Sequence, residues 1–485
     1  MNKAIKDFLK VFFTNLVLLA SGILAGFFIP KIMGVTDYGY YKTFSLYNSY
    51  KELLSFGICE GMYLWLAGKD IDYELQTKLK FVTKWYFIIE ISEMVFIVLL
   101  SSCFFSINHI YALVFILVGL FCCFSNIESY FASISQSLKN FTLLSRMVFV
   151  KSILTIVSII SLFLYHKFFD GRVLFYYYSI ITIALCVIND AVYLIVYKKY
   201  IFNHNEASFR EYSQFLKKIV VLGIPLLLSN LCQSFLLTID KQVISFFYPI
   251  EKNNVFATFS FAYNLLTLIT SIVSAISTVL FPYMKGKEES KLISIFPTLH
   301  TLLLIVLSLS CCSYYLLVPI ITHFLPQYVT SLPIFKALLP GLLASSTITI
   351  LLHSYYKTFD LEKDFFIQSI IVLILALVAD LSAYFLYIRN NSYENPILIV
   401  FASTAVMVLW YFICILVFNK KHKVLHIKND LFLLVSMVTF YLAAYLIENW
   451  IIGFVVYFFA IIIEITALYW RDFSKMIIII KERKR

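Results

Sequence analysis

The stretch SYKELLSFGICEG, Ser49 to Gly61, sets Lys51 beside Glu52 and places Glu60 further on, all inside an apolar run from Thr43 to Leu66. A charge at the centre of a bilayer costs on the order of 3 kcal/mol on insertion scales, so such residues face a water-filled cavity or a partner. Taken as one helix, Asn48, Glu52, Ser55 and Cys59 fall at i, i+4, i+7 and i+11 on one face, with Leu46, Tyr50, Leu53 and Leu64 opposite. A face polar along most of its length lines water; the alternative is a buried Lys51–Glu52 pair neutralised locally or by another helix. Neighbouring residues point about 100° apart, which makes these two poor partners for each other. The same logic selects Glu90, Glu93, Asn189, Asp190, Asp240 and Asp380 within other apolar segments, with Arg146, Lys151 and Lys241 as further cations near their ends. Ser260, Asn264, Thr267, Ser271, Ser274 and Thr278 recur at helical spacing, as either a lumen face or a packing seam. A hydrated central cavity is the economical host for these groups.

The elements that position them are membrane-spanning helices. Of 485 residues, 61% are hydrophobic and only 14% charged, and the mean hydropathy is +0.87, well outside the range of a soluble chain. With about 20 residues per span, about fourteen spans are expected, beginning near Phe8, Thr43, Phe81, Ile110, Arg146, Leu174, Phe215, Asn254, Thr298, Leu338, Phe365, Pro396, Leu431 and Ile451. The first reads as an uncleaved signal anchor, because its apolar run continues to Ile29. Lys and Arg then pool on alternate loops. The side opposite the termini receives only Lys31, Lys42, Lys167, Arg172, Lys241, Lys252, Lys336 and Arg389 of the 39 basic residues. That asymmetry predicts both termini in the cytoplasm. The net charge of +11 is spread over these loops and does not form a nucleic-acid patch.

The chemistry on offer is binding and transport. The sequence contains no GxxxxGK[ST] loop, no HExxH and no GxSxG, and no loop is long enough to house a soluble catalytic domain. No metal or cofactor is expected, and a proton or sodium gradient is the candidate energy source. The nine cysteines lack CxxC spacing and read as small packing residues. DYGYYKTFSLYNSY (Asp37 to Tyr50) and NNVFATFSFAYNLL (Asn253 to Leu266) align on Thr-Phe-Ser, six spans apart. The expected architecture is therefore all-α and polytopic, with two parallel six-helix lobes, residues 1–205 and 206–430, around the cavity. A C-terminal helix pair, 431–485, carries the basic tail.

The run IPKIMGVTDYGYYKTFSLY (Ile29 to Tyr47) resembles the first loop of Wzx-type O-antigen and polysaccharide flippases. TIDKQVISFFYPIEKNNVFATFSFAYNLL resembles their helix 7–8 signature, and SQSLKNFTLLSRM (Ser135 to Met147) their helix 4–5 loop. Asn254 and Phe256 depart from the usual Gly and Tyr of the second loop. The resemblance implies a member of the multidrug/oligosaccharidyl-lipid/polysaccharide exporter superfamily in the bacterial cytoplasmic membrane. Its cargo would be an undecaprenyl-diphosphate-linked oligosaccharide, its partners the bilayer, a polysaccharide polymerase and a chain-length regulator. Lys51 would meet the diphosphate, with Glu52 as counter-charge or ion-coupling site, and tyrosines would stack on sugars. A small-molecule exporter of the same superfamily and an integral-membrane polymerase or ligase remain as alternatives.

Overall fold

A computed structural model describes residues 3–483 apart from 68, 70–72, 107, 170, 202–208, 285–287, 360, 389–395 and 423–426. Arg389 and the side chains of Ser274 and Thr278 therefore lie outside the described residues. The described chain is helical, with a lone β-bridge between Met33 and Val173. It forms two compact units, Met1–Ala257 and Thr258–Arg485.

The first unit contains α1 (Lys3–Ile32), α2 (Val35–Asn48), α3 (Ile58–Leu66), α4 (Tyr73–Cys103), α5 (His109–Ser137), α6 (Phe141–Phe169), α7 (Phe175–Ile201), α8 (Phe209–Leu236) and α9 (Ile239–Phe247). Helix α5 is its hub, packing on α2, α3, α4, α6 and α7. Its start is set by Asn108, whose side chain accepts the backbone N–H groups of Ile110 and Tyr111 and satisfies two of the orphan donors at a helix N-terminus. Aromatic rings fill the core: Tyr86 stacks on Tyr130 with centroids 4.7 Å apart, and Phe131, Tyr193 and Tyr197 pack against one another. Ten tyrosines among the described residues have fully buried side chains, so those rings are part of the core in this conformation.

The second span is not one continuous helix, which corrects the expectation. After α2 the chain turns at Ser49 and Tyr50 and makes a 3-10 turn over Lys51–Ser55. It then passes through Phe56 (φ 48°) and Gly57 (φ 77°) before α3 begins. The hydroxyls of Ser49 and Ser55 donate back to the Leu46 and Glu52 carbonyls at 2.6 and 2.8 Å, competing with the helical ladder. Left-handed backbone at a non-glycine costs roughly 1–2 kcal/mol, so Phe56 is held there by its surroundings. Beyond the break, α3 crosses α8 at backbone contact. A Cβ on Gly223 would lie 1.8 Å from the Gly57 carbonyl oxygen, and one on Gly61 would lie 2.1 Å from that of Ile219. Small residues permit that approach. Asn48, Glu52, Ser55 and Cys59 consequently do not share one helix face.

In the second unit α10 (Val255–Met284) is followed by α11 (Glu289–Ser310), α12 (Ser313–Phe324), α13 (Leu332–Leu338), α14 (Gly341–Ser346) and α15 (His353–Thr358). After them come α16 (Glu362–Ala383), α17 (Ile397–His422), α18 (Ile427–Leu446) and α19 (Trp450–Arg483). Helix α17 packs on α13, α14 and α16, and α18 on α11 and α19. Among the described residues, eleven helices are long and apolar enough to cross a membrane, or twelve if Pro326–Leu338 and Gly341–Thr358, bent by 58°, make one span. Of the fourteen expected spans, the second is split into pieces too short to count, and the eighth, α10, is described with its side chains only over Val255–Ser271 and so is not among the eleven. The chain is a multi-pass membrane protein.

Candidate functional site

The 3-10 turn that interrupts the second span points Lys51 at α5. Its ammonium donates to the Ser125 hydroxyl (2.6 Å), the Ser129 hydroxyl (3.0 Å) and the Ser125 carbonyl (3.2 Å). A lysine has three donors, and here all three are used on neutral oxygens. No carboxylate lies within ion-pair distance of Lys51 among the described residues, although Glu90 and Asp190 are within electrostatic reach. The Asn126 amide ties the turn to α4, donating to the Lys51 carbonyl (3.0 Å) and to Glu90 (3.2 Å). One helical turn along α5, Glu128 accepts from Lys151 of α6 (2.5 Å) and from Asn189 of α7 (2.8 Å). Cys186 lies 3.4 Å from the same ammonium.

These contacts join α4, α5, α6, α7 and the 3-10 turn into one polar network inside the first unit. It holds more acid than base. Glu90 and Glu93, and Glu60 on α3, each have at least one buried carboxylate oxygen without a hydrogen-bond partner among the described residues, and both oxygens of buried Asp190 are in that state. Asn48, at the end of α2, has its carbonyl oxygen similarly buried. Uncompensated carboxylates in a low-dielectric interior are costly and call for a cation, a proton or water. No group of three metal-ligating side chains occurs among the described residues.

A second polar cluster forms where α8 breaks into α9. The Tyr50 hydroxyl lies 2.6 Å from that of Thr238 and accepts from the Gln242 amide at 2.9 Å, while its ring stacks on Phe235 at 4.5 Å. The break in the second span is thereby fastened to the break in the seventh. Asp240 is buried and accepts the backbone N–H of Lys241 (2.7 Å). Lys42, counted with the outer loop, sits within α2 at 5.2 Å from the Tyr38 ring and close enough to Lys241 for the two charges to interact.

Of the residues singled out in the sequence, Lys51, Glu90, Glu93, Lys151, Asn189 and Asp190 belong to the first network, Asp240 and Lys241 to the second cluster, and Glu60 lies on α3 outside these contacts. Ser55 is buried behind the turn and Glu52 is half-buried on it. Arg146 is exposed on α6, away from these contacts. Asn264, Thr267, Ser271 and Asp380 lie in the second unit. There Thr267 and Ser271 donate to carbonyls one turn back in their own helix, and Asp380 accepts from Ser403 at 2.8 Å, joining α16 to α17. Ser125, Asn126, Glu128 and Ser129 were missed, although the run SNIES in the apolar α5 signals a polar face at i, i+3 and i+4.

The family model for polysaccharide biosynthesis proteins matches residues 69–287. That span includes Glu90, Glu128, Lys151 and Asp190 but not Lys51. No curated protein matches the sequence. By fold the chain is similar to the lipid II flippase MurJ in an inward closed conformation, with a TM-score of 0.67 at 17% identity over 97% of this chain and 100% of that one. It is also similar to the Vibrio cholerae MATE transporter VcmN, with a TM-score of 0.57 at 13% identity over 86% and 96%. A multidrug-resistance MATE transporter of the MOP superfamily, inward-facing, gives 0.56 at 13% over 84% and 96%. Over residues 69–287, then, the chain matches the polysaccharide biosynthesis protein family, and its fold is the one shared by a lipid II flippase and the MATE transporters of the MOP superfamily.

Proposed function

We propose that the protein is a flippase that carries an undecaprenyl-diphosphate-linked oligosaccharide, an O-antigen or capsule repeat unit, across the bacterial inner membrane. The observation that carries this reading is Lys51, a cation held on hydroxyls at a helix break inside a chain with a polysaccharide-biosynthesis match. A charge held by neutral oxygens can exchange one serine for a phosphate oxygen without breaking an ion pair, and can release it again. The lipid tail stays in the bilayer while diphosphate and sugars cross about 30 Å of hydrocarbon. Solved relatives of this fold in inward- and outward-facing states support alternating access. Both termini face the cytoplasm, the two lobes correspond to residues 1–205 and 206–430 with the helix pair 431–485 beyond them, and a polymerase and a chain-length regulator act on the exported unit.

A second reading has an observation of its own. The acid excess around Glu90, Glu93 and Asp190 suits an organic cation, as a small-molecule exporter would require. Deleting the gene separates the two. Loss of surface polysaccharide with lipid-linked repeats left on the cytoplasmic leaflet supports the flippase. Unchanged polysaccharide with increased sensitivity to amphiphilic cations supports the exporter.

A further inference from the structure

Between the ends of α4 and α5 that the Phe104–Asn108 segment joins lies a cavity of about 410 Å³, apart from the polar network. Its walls are Ile97, Leu100, Phe104, Ala112 and Phe115. Ser101, Asn108 and Tyr111 also line it, and the first two are engaged elsewhere. The Ser101 hydroxyl donates to the Ile97 carbonyl at 2.7 Å. Asn108 caps α5 with its oxygen and donates its amide to Glu251. The Tyr111 ring packs edge-on against Tyr40, with centroids 5.6 Å apart. A cavity walled mainly by hydrocarbon, with two of its polar residues already engaged, favours an apolar chain over a soluble polar ligand.

The opening faces hydrocarbon as well. Leu100 and Phe104 are half exposed and continue the exposed apolar side of α4 formed by Ile91, Val95, Phe96 and Leu99. A chain can therefore move in sideways without leaving the bilayer. Glu251, which accepts from Asn108 at the cavity lining, is exposed on the segment that follows α9, and Lys252 after it in the chain is exposed too. A carboxylate and an ammonium on consecutive residues complement the ammonium and phosphate of a zwitterionic headgroup.

We propose that this cavity is a binding site for one acyl chain of a phosphatidylethanolamine-type phospholipid, drawn from the leaflet on the α4–α5 loop side. The site is independent of the cargo: it needs no diphosphate and no sugar.

The test uses the full-length protein in vesicles of phosphatidylethanolamine and phosphatidylglycerol, doped with a phosphatidylethanolamine that carries a diazirine on its acyl chain. After irradiation, adducts are mapped by peptide mass spectrometry. They should concentrate on residues 97–115. Leu100→Trp, which fills the mouth from a half-exposed position, should reduce them about tenfold, the effect of un-burying roughly two methylene groups. Phe104→Trp serves the same purpose if the first variant does not accumulate. Glu251→Gln should remove the preference over a phosphatidylglycerol probe with the same chain. Adducts spread evenly along the exposed helices, no loss in the filled variants, equal labelling by the two headgroups in the unaltered protein, or stronger labelling by a polyisoprenyl probe would each overturn the proposal.

Discussion

Gly223→Ala is the sharpest probe of how the Lys51 turn is held. The added methyl carbon would start 1.8 Å from the Gly57 carbonyl oxygen and 2.6 Å from the Gly61 nitrogen, both backbone atoms that cannot rotate away. Relief requires α3 and α8 to separate by more than an ångström at their crossing. Overpacking of this kind costs about 1–3 kcal/mol, and backbone contact on two sides puts this case at the upper end. Gly57→Ala meets the same wall at 2.8–2.9 Å and also places a side chain at φ 77°, adding roughly 1 kcal/mol. At about 2–4 °C per kcal/mol for a unit of this size, each variant should melt about 5–10 °C lower in a fluorescence-detected thermal scan in detergent. The double variant should fall short of the sum, because the first methyl already opens the crossing for the second. Transport should fall further than stability, since the opened crossing displaces the 3-10 turn that aims Lys51 at Ser125. A Gly223→Ala protein with unchanged melting and transport would refute the tight crossing. Strict additivity would refute the shared contact.

Two further outcomes follow from the same packing. Lys151→Met leaves Glu128 in a part-buried site with only Asn189, so stability should drop by about 2–3 kcal/mol, while Lys151→Met with Glu128→Gln should recover most of the loss; a thermal-melt double-mutant cycle reads the coupling, and independent effects would contradict it. A periplasm-reporting fusion after Lys167 should be active and one after Lys421 silent, which checks the orientation deduced from the basic loops.

Much of the fold was legible because hydropathy is a property of short windows. Lipid-facing helices need apolar residues all round, and that signal survives without tertiary information. The break in the second span was written locally too, in Ser49, Ser55 and the Phe56–Gly57 pair, yet the polar spacing of Asn48, Glu52, Ser55 and Cys59 mimicked a continuous helix. What could not be read was the partner of each charge. Lys51 meets Ser125 from 74 residues away, and Glu128 bridges to Lys151 and Asn189 on two other helices. Asp380 shows the converse: the sequence marked it as a cavity acid, and in the structure it accepts from Ser403 across a helix pair. An isolated acid in a span signals a polar need, and tertiary packing decides whether a ligand or a neighbouring helix meets it.

The central claim is that Lys51 handles the diphosphate. The direct measurement is flipping of a fluorescent lipid-diphosphate oligosaccharide in proteoliposomes containing equal amounts of the unaltered protein, Lys51→Arg or Lys51→Ala. The account predicts transport by the unaltered protein, partial transport by Lys51→Arg and none by a Lys51→Ala protein that still inserts and melts normally. Transport by Lys51→Ala at the unaltered rate would contradict it.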